Sequence, residues 1–394
     1  MIYPSFICRQ CILSCYFTID AQIRHGQAIG GWLLIFVLLC FGVGAIGSVC
    51  EAQEKVSTKT PWSGKVIRVQ LHDKPGIQFL GIFVAKELGL FTKGGLPEVE
   101  VSWNTHFQHA TDFLVDHQAE IATGWMSEGV YARAHGKPVV AITAVSQHSS
   151  GCVLVRNDVI GKSKANLSDL NGKKLGIWFC HEVPPKVFMA LNNIRPDYIV
   201  HHSHSNILFA ERAVAGMFST VYSVSFMTKY TSFRDQVQVF RFSENNYDVP
   251  ENVIFCSEQF FRDQPEVCRK FIKAMFLGWY KVFENEEEAL KIYSKYCRSA
   301  NVLDDPFIAR QQLAAWKTIL DLASELEANG QCKKEKYERL VRGLAKSGEV
   351  DPKKIPAFED FFWPVLDEST RKRLQASAKI PASTNKNNRE GQHE

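Results

Sequence analysis

The chain has 394 residues, 45% hydrophobic and 22% charged, so it is globular and long enough for two cores. A net charge of +4 is mild at this size, and no basic block is interleaved with aromatic residues, which excludes a nucleic-acid footprint. No GxSxG, HExxH or P-loop sequence occurs, which removes several common enzyme classes from view, and the one GxGxxG match, Gly42 to Gly47, lies within an apolar N-terminal run.

The N-terminal stretch stands apart from the fold. Arg24 and His25 precede a nearly unbroken apolar run from Gly30 to Val49, the pattern of a secretory signal. Cys50 and Ala52 supply compact residues for a cut after Ala52, and the run is also long enough to stay as an uncleaved anchor. Residues 1–52 are therefore expected to be a targeting segment, with the mature chain outside the cytoplasm. Beyond it remain Cys152, Cys180, Cys256, Cys268, Cys297 and Cys332, whose wide spacings match no zinc pattern and which read as buried thiols.

The fold begins at Lys65. Val66, Ile67, Val69 and Leu71 make a strand that breaks at His72-Asp73-Lys74-Pro75-Gly76, and from Gln78 the residues Leu80, Phe83, Val84 and Leu88 share a helical face that ends at Gly89. Strand 98–103 follows, then a helix opened by Thr105 and Gln108 as a capping box, a strand at 119–123, a helix through Val130 and Ala134, and a strand at 139–145. This alternation predicts a mostly parallel sheet with helices on both faces. A second round follows: strands 152–156 and 174–178, a helix led by Pro184 and Pro185, strand 198–202, helix 206–215, and strands 220–224 and 237–242. After strand 253–256 the chain is helical, with Asp263 capping a helix from Pro265, Asn285 capping the next, and two more near 306–327 and 333–346.

The fold class expected is thus α/β with two lobes. Residues 64–148 and 250–372 form lobe 1, with the C-terminal helices packed on it; residues 149–249 form an inserted lobe 2; residues 373–394 form a disordered tail. Two crossings near 145–151 and 242–253 make a paired hinge, and lobes so joined close on a ligand between them.

In such a sheet the ligand sits at the carboxyl ends of the strands. Those ends supply Asp73, Gln78 and Phe79; Trp125, Met126 and Ser127; Gln147, Ser149 and Ser150; and, from lobe 2, Trp178, Phe179, His181, Glu182 and Tyr222. Trp125 and Trp178 end matching strands, so they either stack on a planar solute from two sides or plug the sheet edges. Asp73 either binds a ligand amino group or caps the helix after it, and the serines either donate to a ligand oxygen or cap helices and turns. On a strand His202 and His204 share a face while His201 points away, so no metal site is expected, nor any cofactor.

Four stretches carry a family resemblance: QFLGIFVAKE from Gln78 to Glu87, EGVYARAHGKPVV from Glu128 to Val140, DLNGKKLGIW from Asp169 to Trp178, and PEVCRKF from Pro265 to Phe271, continuing to Gly278-Trp279. In order and spacing they resemble the nitrate, sulfonate, taurine and thiamine-precursor solute-binding proteins of ABC importers, the NMT1/THI5-like group. The resemblance implies a type II periplasmic binding protein, a monomer that captures a pyrimidine, sulfonate or nitrate-like solute and delivers it to an inner-membrane permease. The chain departs from the group at His72-Asp73, where thiamine-pyrimidine binders usually carry Trp, and at Phe226-Met227-Thr228, where many carry Tyr-Asn-Glu. Tyr247 to Glu251 lacks the dense cysteine motif of the eukaryotic pyrimidine synthases. The alternative expectation is an enzyme on the same scaffold, a thiamine-pyrimidine synthase or a chorismate-type dehydratase, using Asp73, His181 or Glu182 as acid or base.

Overall fold

The computed structural model describes residues 63–104, 108–201, 207–230, 233–320 and 330–377. The expected targeting segment, Thr105 to Phe107, His202, His204 and the side chains of Phe226 and Met227 lie outside the described residues.

Two five-stranded sheets organise the chain, as the alternation predicts. The first has the order β2-β1-β3-β10-β4, from Glu98–Trp103, Val66–Leu71, Ile121–Gly124, Val253–Ser257 and Val139–Ala144. The second has the order β7-β6-β8-β5-β9, from Asp197–His201, Lys174–Trp178, Gly216–Thr220, Gly151–Arg156 and Val237–Arg241. Each sheet is mixed rather than wholly parallel. The strand entering from the other lobe runs antiparallel to its neighbours: β10 against β3 and β4, β5 against β8 and β9. Both β4 and β5 are buried at every residue, which is why they read as apolar runs broken only by Thr143 and ended by Arg156.

The helices of the first lobe are α1 (Leu80–Glu87), α2 (Leu90–Lys93), α3 (Ala110–Val115) and α4 (Met126–Ala134); those of the second, beside single turns at Asn157–Ile160 and at Ile207–Ala210, where a helix over 206–215 is expected, are α5 (Val183–Leu191) and α6 (Val221–Tyr230). Gly89 separates α1 from α2 at φ 64°, a left-handed conformation that glycine adopts without Cβ strain. Several expectations are corrected here. The helix placed at Thr105 starts at Ala110, so Gln108 lies outside it, and the Gln108 side chain donates to Asp116 instead of closing a capping box. Residues 221–224 are helix rather than strand, because Tyr222 seats edge-on against Trp316, 5.2 Å between ring centroids, and tertiary packing overrides β-branched propensity.

After β10 come α7 (Pro265–Glu284), α8 (Glu286–Ser299), α9 (Pro306–Leu320), α10 (Lys334–Ser347), α11 (Phe358–Phe361) and α12 (Glu368–Ser377). Asn285 caps α8 through Glu288 N–H, 3.1 Å, whereas Asp263 spends its carboxylate on Gln259 and leaves α7 without a side-chain cap. Helix α12 extends to Ser377, into the stretch read as tail. The helices α7 and α8 cover the first sheet: Phe83 stacks on Tyr296 at 4.0 Å and Phe91 on Phe271 at 4.9 Å. Two others also reach the second lobe. In α9, Trp316 lies between Tyr222 of α6 and Trp279 of α7, 6.2 Å from the latter. In α10, Gly343 faces Val187 and Leu191 of α5 at a distance that leaves no room for a Cβ, while Tyr337 packs on Phe361 against the first sheet.

The closest helix contact is that of α1 with α7. A Cβ on Gly278 would overlap the Gly81 carbonyl oxygen and press on Ala85, both backbone-fixed. Gly278→Val is therefore expected to cost at least about 1–3 kcal/mol by forcing the two helices apart. Urea unfolding measures it, and a variant of unchanged stability would refute the close-packing account.

Candidate functional site

The turn after β1 opens into a cavity of about 200 Å³ between the two lobes. From the first lobe it is lined by His72, Asp73, Lys74, Gln78 and Trp125; from the second by Trp178, His181, Thr220, Tyr222 and Ser223; and from the C-terminal part by Tyr293, Val302 and Gln312.

Each wall has a local cause. The His72 ring is fixed by a 2.7 Å hydrogen bond between Nδ1 and Thr123 Oγ1 and by an edge contact with Phe79 at 4.9 Å. Asp73 accepts from the Lys74 N–H at 2.6 Å and caps no helix; the short turn at Ile77 to Phe79 is led by Gly76. Gln78 is 4% exposed, its carbonyl accepts from Asn252 at 2.8 Å, and its side-chain Oε1 has no hydrogen-bond partner. A buried oxygen left so costs about 1–3 kcal/mol until a donor arrives.

Trp125 and Trp178 both line the cavity but do not form a bare sandwich. Each rests on Phe218 of β8, at 5.6 and 5.5 Å, so that Phe218 occupies the floor between them. Trp125 belongs to the first lobe and Phe218 to the second, so this contact already joins the lobes.

His181 makes the firmest link between them. The chain turns sharply after β6 with Cys180 at φ 68°, an uncommon conformation for a residue with a Cβ, and this aims His181 at the first lobe. Its Nδ1 lies 2.8 Å from Glu128 Oε1 of α4, both side chains being buried, and its ring stands 5.7 Å from that of His72. Burial by itself lowers the His181 pKa, but the Glu128 carboxylate, aided by Asp73 and Glu182, outweighs it and the net shift is upward. The other Glu128 oxygen accepts from the Trp125 N–H at 3.3 Å, so one carboxylate both starts α4 and holds the second lobe. Burial pushes the Tyr222 phenol upward, and the charge of Asp73 adds to it.

The structure thus brings Asp73, Gln78, Trp125, Trp178, His181 and Tyr222 together around one cavity. The remaining candidates lie outside its lining. Phe79 and Met126 are fully buried in the core, and Glu182 stands at the start of α5. Ser127 is the second residue of α4 rather than its cap, its hydroxyl directed at Tyr247 without a full hydrogen bond. Gln147, Ser149 and Ser150 belong to the crossing between lobes. Ser149 and Ser150 hydroxyls donate to Glu251 at 2.9 and 3.0 Å, and Gln147 donates to the Gln331 carbonyl at 3.2 Å. Burial raises Glu251 to about 8, with the Ser149 and Ser150 donors opposing the shift. Glu128, Phe218 and Glu251 went unread in the sequence; the one signal was Glu128, three residues after Trp125 at a capping-box position.

The six cysteines among the described residues are buried free thiols, and no group of three or more His, Cys, Asp or Glu side chains converges there. No described helix is long and apolar enough to cross a membrane.

The model of the NMT1/THI5-like family matches residues 76–289. Among solved structures, the ligand-binding component of an ABC-type import system from Staphylococcus aureus, with zinc bound, is similar at a TM-score of 0.57 and 13% identity, over 79% of this chain and 99% of that one. The alkanesulfonate-binding protein SsuA of Xanthomonas axonopodis, bound to MOPS, is similar at 0.53 and 11%, over 76% and 98%. The periplasmic nitrate-binding protein NrtA of Synechocystis is similar at 0.50 and 15%, over 81% and 99%. At such identities the likeness is one of fold. No curated protein sequence matches the chain.

The raised His181 pKa fixes the sign of a pH effect. Stability from the Glu128–His181 pair is fully present below the unfolded value near 6.5 and is lost as pH rises through the raised one. Glu128→Gln is expected to cost about 1.5–3 kcal/mol at acidic pH and progressively less as the solution turns alkaline. Denaturant unfolding across pH, with NMR titration of the His181 ring, tests this; a pH-independent difference would remove the ionic role.

Proposed function

The chain belongs to the NMT1/THI5-like family, and from that premise we propose that it is an extracytoplasmic solute-binding protein of an ABC importer. It captures one small solute between its lobes and hands it to a membrane permease, with residues 1–52 acting as the export segment. The observation that carries this reading is the cavity itself, walled from both lobes and provided with unsatisfied polarity at Gln78.

Its chemistry favours a particular solute. Asp73 and Gln78 Oε1 are acceptors, and the charge of His181 is matched by Glu128. Among the described lining residues there is no arginine, and the single lysine, Lys74, is exposed. Hydroxyls of Thr220, Tyr222 and Ser223 line the same cavity, so it is the Asp73 carboxylate, repelling an anion, that disfavours a sulfonate or nitrate. A planar nitrogen heterocycle bearing N–H groups, such as an aminopyrimidine, donates to Asp73 and Gln78 while its ring lies against Trp125 and Trp178. About 200 Å³ suits a single ring.

Capture proceeds by closure about the two crossings, which are already tied together by Glu251 and Asp248. The solute stabilises the closed form because it touches both lobes, and only such differential contacts shift the equilibrium. Since α9 and α10 pack on both lobes, the motion is a small sliding of packed helices rather than a wide gape.

Intrinsic tryptophan fluorescence against aminopyrimidines, alkylsulfonates, nitrate and bicarbonate is the test. An aminopyrimidine is expected to shift the emission reversibly and to be recovered unchanged. Asp73→Asn and Gln78→Leu are each expected to weaken it by about tenfold or more, equivalent to ~1.4 kcal/mol, without loss of fold. Turnover of the solute would replace binding by catalysis, and a response confined to sulfonate or nitrate would overturn the ligand class.

A further inference from the structure

Gly76 stands in the turn between β1 and α1 and belongs to the lining of the cleft. Its backbone gives no reason for a glycine. At φ −138° and ψ 164° it is extended, a conformation open to any residue, and its carbonyl accepts from the Phe79 N–H at 3.0 Å as any carbonyl would. A side chain is excluded for another cause. A Cβ on Gly76 would overlap Oε1 of Gln78 and stand 2.9 Å from both its Cδ and its Nε2, so the whole Gln78 amide lies in the room left by the missing methyl group.

Other close-fitting glycines serve packing. Gly81 makes room for the Trp279 indole, Gly129 for Phe255 and Gly151 for Phe242, rigid rings buried in the interior. Gly76 instead accommodates a flexible polar side chain that lines the cleft.

The main chain of Gln78 is fixed separately. Asn252, in the crossing that returns from the second lobe, donates its side-chain amide to the Gln78 carbonyl at 2.8 Å, and its own carbonyl accepts from the Val145 N–H at 3.0 Å. With the backbone held, the direction of the Gln78 side chain is decided by the space open to it. Its Oε1 has no hydrogen-bond partner among the described residues, so moving the amide breaks no bond at that atom. An alanine at 76 keeps the extended backbone and narrows the freedom of the unfolded chain. Its effect therefore falls on solute recognition and not on stability.

We propose that Gly76 is a positioning residue of the cleft: by lacking a side chain it lodges the Gln78 amide in the orientation that receives an N–H donor, and so sets the preference for an N–H-bearing heterocycle. The proposal rests on the reading of the cleft as a solute site, and extends it from the residue that touches the solute to the one that aims it.

The test uses the full chain with Gly76→Ala, with Gln78→Ala and with both, each titrated with an aminopyrimidine by tryptophan fluorescence. Gly76→Ala is expected to weaken binding about tenfold, the scale of one hydrogen bond, with the melting temperature unchanged or raised. In the Gln78→Ala background no amide remains to be displaced, and the same substitution is expected to change binding by less than about twofold. Side-chain amide NMR without solute supplies a second measure: the Gln78 resonance pair, identified by its loss in Gln78→Ala, is expected to move in Gly76→Ala. An unmoved pair, or an equal loss of binding from Gly76→Ala in both backgrounds, as a merely structural glycine would give, overturns the proposal. A wild type that binds no solute of the panel fails the cleft reading and this proposal with it, whereas wild-type binding that Gly76→Ala leaves intact fails this proposal alone.

Discussion

Two segments of chain cross between the lobes, and the buried carboxyl group of Glu251 joins them. Ser149 and Ser150, from the first crossing, place two hydroxyls and a backbone N–H on it within 3.0 Å, while the Glu251 N–H returns a bond to Ser146 at 3.1 Å. Burial raises this carboxyl to about 8, against the Ser149 and Ser150 donors that favour its ionised form. A second knot lies beside it, where Asp248 accepts from the Ser149 N–H and from Lys336 and meets His148, its own value driven down to about 2 because those partners outweigh burial. These ties hold the two crossings to each other, and α9 and α10 brace the lobes besides.

From that geometry the site follows. With the crossings fixed, β8 presents Phe218 to Trp125, and the strained turn at Cys180 delivers His181 to Glu128. The ionic pair is buried, so its partners gain little from attraction beyond what they lose in hydration. What it supplies is register. A histidine that meets a carboxylate only when the lobes are together marks one closed arrangement among many near ones.

The sequence made the scaffold legible because the hydrophobic periods are clean. Val66 to Leu71 alternates and then breaks at a polar turn, α7 keeps one face for its full length, and the strands that change lobes are mostly apolar. The cavity residues at strand ends, Asp73, Gln78, Trp125, Trp178, His181 and Tyr222, were legible for the same reason. Strand-end position also admitted Ser149 and Ser150, and nothing local distinguishes them. Their partner Glu251 is about a hundred positions away, and only the tertiary structure shows that their hydroxyls are already spent. Glu128 was hidden for the opposite reason, because a helix-start glutamate has an ordinary local use and its second oxygen declares its partner only across the cleft.

The C-terminal helices change how the cleft must work. Had all of them packed on the first lobe alone, the crossings would be the sole connection and a wide hinge would be natural. Instead Trp316 is held between Tyr222 and Trp279, one from each lobe, and Gly343 lets α10 sit directly on α5, the helix that begins just after His181. Opening the lobes widely would strip both contacts from apolar partners, and exposing an aromatic side chain of that size costs about 1.5–3 kcal/mol or more. Small displacements cost far less, because packed helices slide while keeping most of their buried surface. Tyr293, Val302 and Gln312, which complete the lining of the cavity, come from α8, the loop after it and α9. The segment from α8 to α9 thus both lines the cavity and, through Trp316, straps the lobes, so movement of the strap alters the lining and neither can shift without the other.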